Sequence, residues 1–193
     1  MKLRPFDRPL LVIDVETTGT DPTIHQVISI GALLLDATTL KEERTFHSLV
    51  HATTKTLSSA SSKAMAIHGL TGEQLKKAPK AKDVIQQFVD TFGYDFYFCG
   101  WNICFDTQFM AALFRQANRQ EDFDRFRYHK LDVWTLLEYA WLSGRLENPP
   151  DSLSAVCREF NIQRANVHDA LEDARITVQV LRKTLRLLEE GAR

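Results

Sequence analysis

The hydrophobic pattern begins with "PLLVIDVETTG", a run of Leu and β-branched residues closed by Thr-Thr-Gly, which predicts a buried strand ending in a loop. "QVISIGALLLD" and "ERTFHSLVH" follow, separated by "ATTLKE", and predict two more strands joined as an antiparallel meander. The pattern then changes period. "SSKAMAIHGL" reads as a short helix running into a glycine turn. In "AKDVIQQFVDTFG" the apolar residues Val84, Ile85, Phe88, Val89 and Phe92 recur at helical spacing, with Gly93 as a stop. "DFYFCGW" is strand-like, and "FDTQFMAALFRQA" places Phe105, Phe109, Ala112 and Leu113 on one helical stripe. "KLDVW" predicts a short strand, and helical segments follow near 133 to 143, 152 to 160 and 169 to 190. "NPP" before Asp151 and "NIQRANV" before His168 read as turns.

Three strands in meander, then alternating helix and strand, predict a mixed sheet with helices packed on it, an α/β or α+β domain. Residues 1–193 read as one domain, with no internal repeat. The order of the strands is not readable from these patterns.

Composition narrows the class. The chain is 44% hydrophobic and 25% charged, as in an ordinary soluble domain. No apolar stretch approaches the ~20 residues of a membrane span, and "MKLRPFDRPL" lacks the apolar core of a signal peptide, so a cytoplasmic location and no membrane association are expected. Three cysteines without zinc-site pairing suggest free thiols in a reducing compartment, with Cys99, Cys104 and Cys157 as packing residues. A net charge of -1 argues against a polyanion binder that works by overall charge. If the chain handles nucleic acid, bound cations or a local patch must help, and the one acid-free basic run is "KKAPKAK", with Lys76, Lys77, Lys80 and Lys82, read as a solvated loop or a phosphate contact.

The acids change the picture. Asp14 and Glu16 are two apart on the first predicted strand and so project from one face. Taken alone, such a pair reads as the solvent end of a strand. On a strand otherwise suited to burial, the two charges repel and each is penalised by desolvation, and a bound divalent cation removes both objections. Asp106 stands where a strand-loop gives way to a helix, and by itself reads as an acid suited to the helix dipole. "HDALEDA" puts His168, Asp169, Glu172 and Asp173 in seven positions. Asp169 and Glu172 form an Asp-x-x-Glu capping box before Ile176, Val180, Leu181 and Leu185. His168 and Asp173 are left without a structural task.

"DVETTG", "NICFD" and "HDALEDA", in that order and at these separations, resemble the three motifs of the DEDDh 3'-5' exonucleases, the family related to the proofreading (epsilon) subunit of bacterial DNA polymerase III. "IHGLT" at 67–71 is similar to that family's substrate-binding turn. The resemblance implies an RNase H-like α/β fold, with a five-stranded mixed sheet flanked by helices. It implies Asp14, Glu16, Asp106 and Asp173 as ligands of two divalent cations, Mg2+ or Mn2+, and His168 as general base. It also implies that Thr17, Ile67, His68, Leu70 and Phe105 surround the 3'-terminal nucleotide. The chain departs from its relatives at Trp101, where a small residue or histidine is common, and this leaves the local shape around Asn102 open.

The chemistry suits the residues. Two cations ~4 Å apart activate a water and stabilise the leaving oxygen of a phosphodiester, and carboxylate ligation selects hard ions. An unperturbed imidazole, titrating at ~6.5, suits proton abstraction near neutrality. The expectation is a 3'-5' exonuclease on single-stranded or frayed DNA that releases 5'-mononucleotides, with a polymerase as a candidate partner. An RNA or oligoribonucleotide exonuclease of the same family is the alternative, and an inactive nucleic-acid-binding module the third reading.

Overall fold

The computed structural model describes residues 3–164 and 168–190. Residues 165–167 of the turn expected before His168 lie outside the described residues. The three leading strands are β1 (Leu10–Thr17), β2 (Val27–Leu35) and β3 (Glu42–Leu49). Helices α1 (Thr54–Ser58), α2 (Ser62–His68), α3 (Gly72–Lys77) and α4 (Ala81–Phe92) lead to β4 (Tyr97–Gly100). Then come α5 (Ile103–Gln116), α6 (Gln120–Phe123), β5 (Lys130–Asp132), α7 (Val133–Leu142), α8 (Leu153–Glu159) and α9 (Ala170–Glu190).

The strands form one sheet in the order β3-β2-β1-β4-β5. β1, β2 and β3 pair antiparallel, while β4 runs parallel to β1 and β5 parallel to β4. This is the five-stranded mixed sheet of an RNase H-like α/β fold. All nine residues of β2 are buried, as expected of an interior strand covered on both faces. One face packs on α4 and α5 through an aromatic core that includes Phe46, Phe88, Phe96, Phe98, Phe114 and Phe126. The other face carries Leu10, Val12, Leu33 and Leu35 against aliphatic residues of α7, α8 and α9, among them Val133, Leu137, Val156, Ile176 and Leu181.

Two details place the functional residues. Gly31 on β2 lies beneath the first turn of α9: a Cβ there would stand 2.2 Å from the Ala170 carbonyl carbon and the Leu171 nitrogen. The helix therefore reaches the sheet only because this position carries no side chain. Beyond Val12, paired with Cys99, the β1–β4 ladder stops, and the strands part at the end where α5 begins.

Three expectations are corrected. "KKAPKAK" is not a loop: Lys76 and Lys77 end α3, Lys80 caps α4 and Lys82 lies within it, all four exposed. Cys104 is exposed and not a packing residue, unlike Cys99 and Cys157. The short helices α1, α3 and α6 are additional to the predicted elements. Trp101 is partly buried and packs against the core beneath α7 and α9. Among the described residues, no helix is long and apolar enough to cross a membrane.

Candidate active site

Asp14 and Glu16 project from the α9 face of β1, opposite Gly31 and Ser29 of β2, while Val15 between them turns into the aromatic core. Asp106 reaches the same strand end from the first turn of α5, where it is only 3% exposed. Its Oδ1 accepts the Val15 N–H at 3.0 Å. That bond ties the acid to the backbone where β1 and β4 have separated, a placement that the helix dipole alone does not explain. The turn leading into α5 is held by Asp132, which the sequence reading did not single out. Asp132 Oδ1 accepts N–H bonds from Asn102 at 3.1 Å and from Trp134 at 3.0 Å, so one carboxylate caps α7 and fixes Asn102 in a left-handed conformation, φ 56°.

The start of α9 supplies the remaining groups. Asp169 Oδ1 accepts the Glu172 N–H at 3.0 Å, the first of the two bonds expected of a capping box, and the Asp169 carbonyl accepts the Asp173 N–H at 2.8 Å. His168, with φ 67°, is exposed just before this cap, whereas Asp173 is 6% exposed. One ligand atom each from Glu16, His168 and Asp173 lie within 4.8 Å of one another, close enough for a single metal ion to touch all three.

Electrostatics show how crowded these acids are. Burial above all, then Asp106, Glu16 and Asp173, push the Asp14 carboxyl well above the usual range, while Arg164 pulls it down. Asp106 is also raised by burial, against the Val15 N–H bond that lowers it. Glu16 is pushed up to about 7 by burial and then by Asp173 and Asp169. A cluster of oxygen donors that repel one another, with one imidazole at its rim, fits hard divalent cations, which would lift the penalty on each ionised carboxylate. Sequence reasoning missed Arg164, which is ion-paired with Asp173 Oδ1 and donates to Ser154 Oγ of α8 at 2.5 Å. A lone arginine inside "NIQRANV" carries no signal by which to find it.

Of the expected substrate residues, His68 and Leu70 line a cavity of about 200 Å³ together with Glu16, Ser29, His47 and His168. His68 Nδ1 accepts the Leu70 N–H at 3.1 Å, an arrangement that the left-handed Gly69, φ 68°, permits. The proton of the neutral ring then sits on Nε2, which is buried and has no partner among the described residues. Burial, and then His168, hold the His68 pKa below its ordinary value, so the ring stays neutral near pH 7. Thr17, Ile67 and Phe105 lie outside that cavity lining. The Thr17 hydroxyl donates to the Gly19 carbonyl at 2.6 Å and closes the Thr-Thr-Gly turn. Ile67 is 44% exposed, and Phe105 is partly buried against Phe109, with ring centroids 4.8 Å apart.

This architecture is shared. The chain is 27% identical over 184 residues to a PolC-type DNA polymerase III from Thermotoga maritima, covering 95% of the chain but 12% of that polymerase. It is 27% identical over 173 residues to the DNA polymerase III epsilon subunit of Rickettsia prowazekii, covering 88% of the chain and 71% of that subunit. The fold matches that of Escherichia coli exonuclease I crystallised with a dT13 oligonucleotide, with a TM-score of 0.80, 19% identity, and coverage of 95% of the chain and 43% of the enzyme. The family described as exonuclease, of the RNase T type, matches residues 11–181. With its acids at the parted end of β1 and its histidine at the head of α9, the chain belongs to that exonuclease family.

Proposed function

We propose that this chain removes nucleotides stepwise from the 3' end of single-stranded or frayed DNA, releasing 5'-mononucleotides, with two Mg2+ or Mn2+ ions. The observation that carries the reading is the convergence of Glu16, His168 and Asp173 from β1 and α9, beside the crowded Asp14 and Asp106. When bound, the cations lower the pKa of a coordinated water and stabilise the leaving 3'-oxygen. Asp14, at the centre of the acidic field, would hold the cations together with Glu16, Asp173 and Asp106. His168, exposed before the α9 cap, takes the proton of the attacking water on a ring nitrogen. The Asp169 cap fixes where the helix begins, and with it the separation of His168 from Asp173.

The substrate reading places the terminal nucleotide against Thr17, Ile67, His68, Leu70 and Phe105. The unpartnered His68 Nε2–H supports a polar contact there, and the exposed Ile67 an apolar one. An unpaired end suits such a site better than a duplex end, whose terminal base must first be unstacked at a cost of a few kcal/mol. The relatives named as polymerase III components support DNA as substrate and a polymerase as partner.

Single strands labelled at the 5' end, with free or blocked 3' ends, test the reading on a gel beside blunt duplex, a circular single strand and RNA of the same sequence. The expected result is a descending ladder from the free linear DNA, slower on blunt duplex and absent from the blocked strand. Equal cutting of circle and linear strand, or digestion from the 5' end, refutes it. Faster digestion of RNA moves the substrate to the ribonucleotide alternative.

A further inference from the structure

The acidic cluster holds a buried cation of its own. The Arg164 and Asp173 side chains are 10% and 8% exposed. Arg164 Nη2 donates to Asp173 Oδ1 while Nη1 donates to Ser154 Oγ, so α8 tethers the guanidinium from behind as it grips a carboxylate on α9. Sequestering a guanidinium carries a desolvation penalty, and the ion pair with Asp173 is the contact that offsets it.

We propose that Arg164 is a resident counter-ion of the metal site: in the metal-free protein it fills part of the electrostatic place of a divalent cation, and it thereby sets how tightly that cation binds. The inference rests on the metal-binding reading given above. Tethered by Ser154, the guanidinium stays beside the carboxylates when a second positive charge arrives, and two cations sharing one set of acids weaken each other's binding reciprocally. Arg164 is on this account a positioning residue. It holds one oxygen of Asp173 and keeps the like-charged cluster together between metal-loading events.

The test is Mn2+ binding to the full chain, read from the electron paramagnetic resonance signal of free Mn2+, together with melting in chelator and in saturating Mn2+. Arg164→Met should bind Mn2+ about 5-fold or more tightly than wild type, at the lower end of ordinary coupling between sites. Its Tm should fall more in chelator than in Mn2+. Arg164→Lys, which keeps the charge, should remain close to wild type on both measures. Affinity in Arg164→Met that is unchanged or weaker, or an equal loss of Tm with and without Mn2+, overturns the proposal. If Arg164→Met is unfolded in chelator, folding on addition of Mn2+ supports the proposal and failure to fold overturns it. Absence of Mn2+ binding by wild type overturns the metal reading itself, whereas normal wild-type binding with no gain in Arg164→Met overturns only the counter-ion.

Discussion

Replacing Glu16 with glutamine should stabilise the metal-free protein at neutral and higher pH, although it removes a group proposed to bind metal. Burial and the nearby Asp173 and Asp169 raise the Glu16 carboxyl from an ordinary 4.5 to about 7. Between those values the folded chain holds a proton that the unfolded chain has released, so stability is greatest below the lower value and is lost as pH rises through the upper one. At about 1.4 kcal/mol per pH unit the full penalty is ~3.5 kcal/mol. Glu16 is partly exposed, and solvent screening reduces this to roughly 1–2 kcal/mol. For a chain of this size, at 2–4 °C per kcal/mol, Glu16→Gln should melt ~2–8 °C above wild type in chelator near pH 8. The gap should close toward pH 5, where wild-type Glu16 is protonated in the folded state. Saturating Mg2+ or Mn2+ should narrow or reverse it, because the wild type keeps a ligand that the variant lacks. Thermal melts across pH, with chelator and with metal, decide the matter. A variant no more stable than wild type near pH 8 in chelator, or a gap independent of pH, would refute the reasoning.

Other outcomes follow from the same geometry. Asp14→Asn should fold at least as stably as wild type in chelator and lose hydrolysis and most of the metal-induced rise in Tm, since it relieves repulsion while removing a proposed metal ligand; near wild-type nuclease activity in folded protein would contradict this. Gly31→Ala should lower Tm by several degrees and depress activity together, because the new Cβ meets the backbone of the first α9 turn and a core overfilled in this way loses about 1–3 kcal/mol; melting and single-turnover rates check both. His168→Ala should cut the rate by about 10²-fold or more with Mn2+ binding retained, and a variant that kept the wild-type acidic limb of the pH–rate profile would assign that limb to another group.

The sheet and the long helices were legible because their periods are long enough to read. β2 is an apolar run interrupted only by Ser29 and Gly31, and α4 repeats its apolar residues over three turns. The short helices α1 and α6 span five and four residues, too few to show a period. α3 is only six residues long, but Thr71 and Gln74 form a complete capping box around its start, a signal that was present in the sequence. The four acids and the histidine were legible as ordered motifs, and the fold brings them to one end of the sheet. What could not be read were relations that only chain folding creates: the bond from Val15 to Asp106, the double use of Asp132, and the grip of Arg164 on Asp173. The basic run around Pro79 looked like a loop because its charge conceals the boundary between two helices.

The pairing of β1 with β2 has a consequence for how errors in folding show themselves. Asp14 lies across from Gly31 and Glu16 across from Ser29, on the opposite face from Ile13 and Val15. A side-chain period of two means that a slip of one residue exchanges the faces of a strand. Such a slip would drive both acids among phenylalanines and set bulk where the first turn of α9 meets β2. No compact chain can carry that mistake quietly. Preparations recovered from denaturant should therefore divide into working molecules and aggregate, with no soluble inert fraction between them, and a count of active sites becomes a count of correctly paired strands.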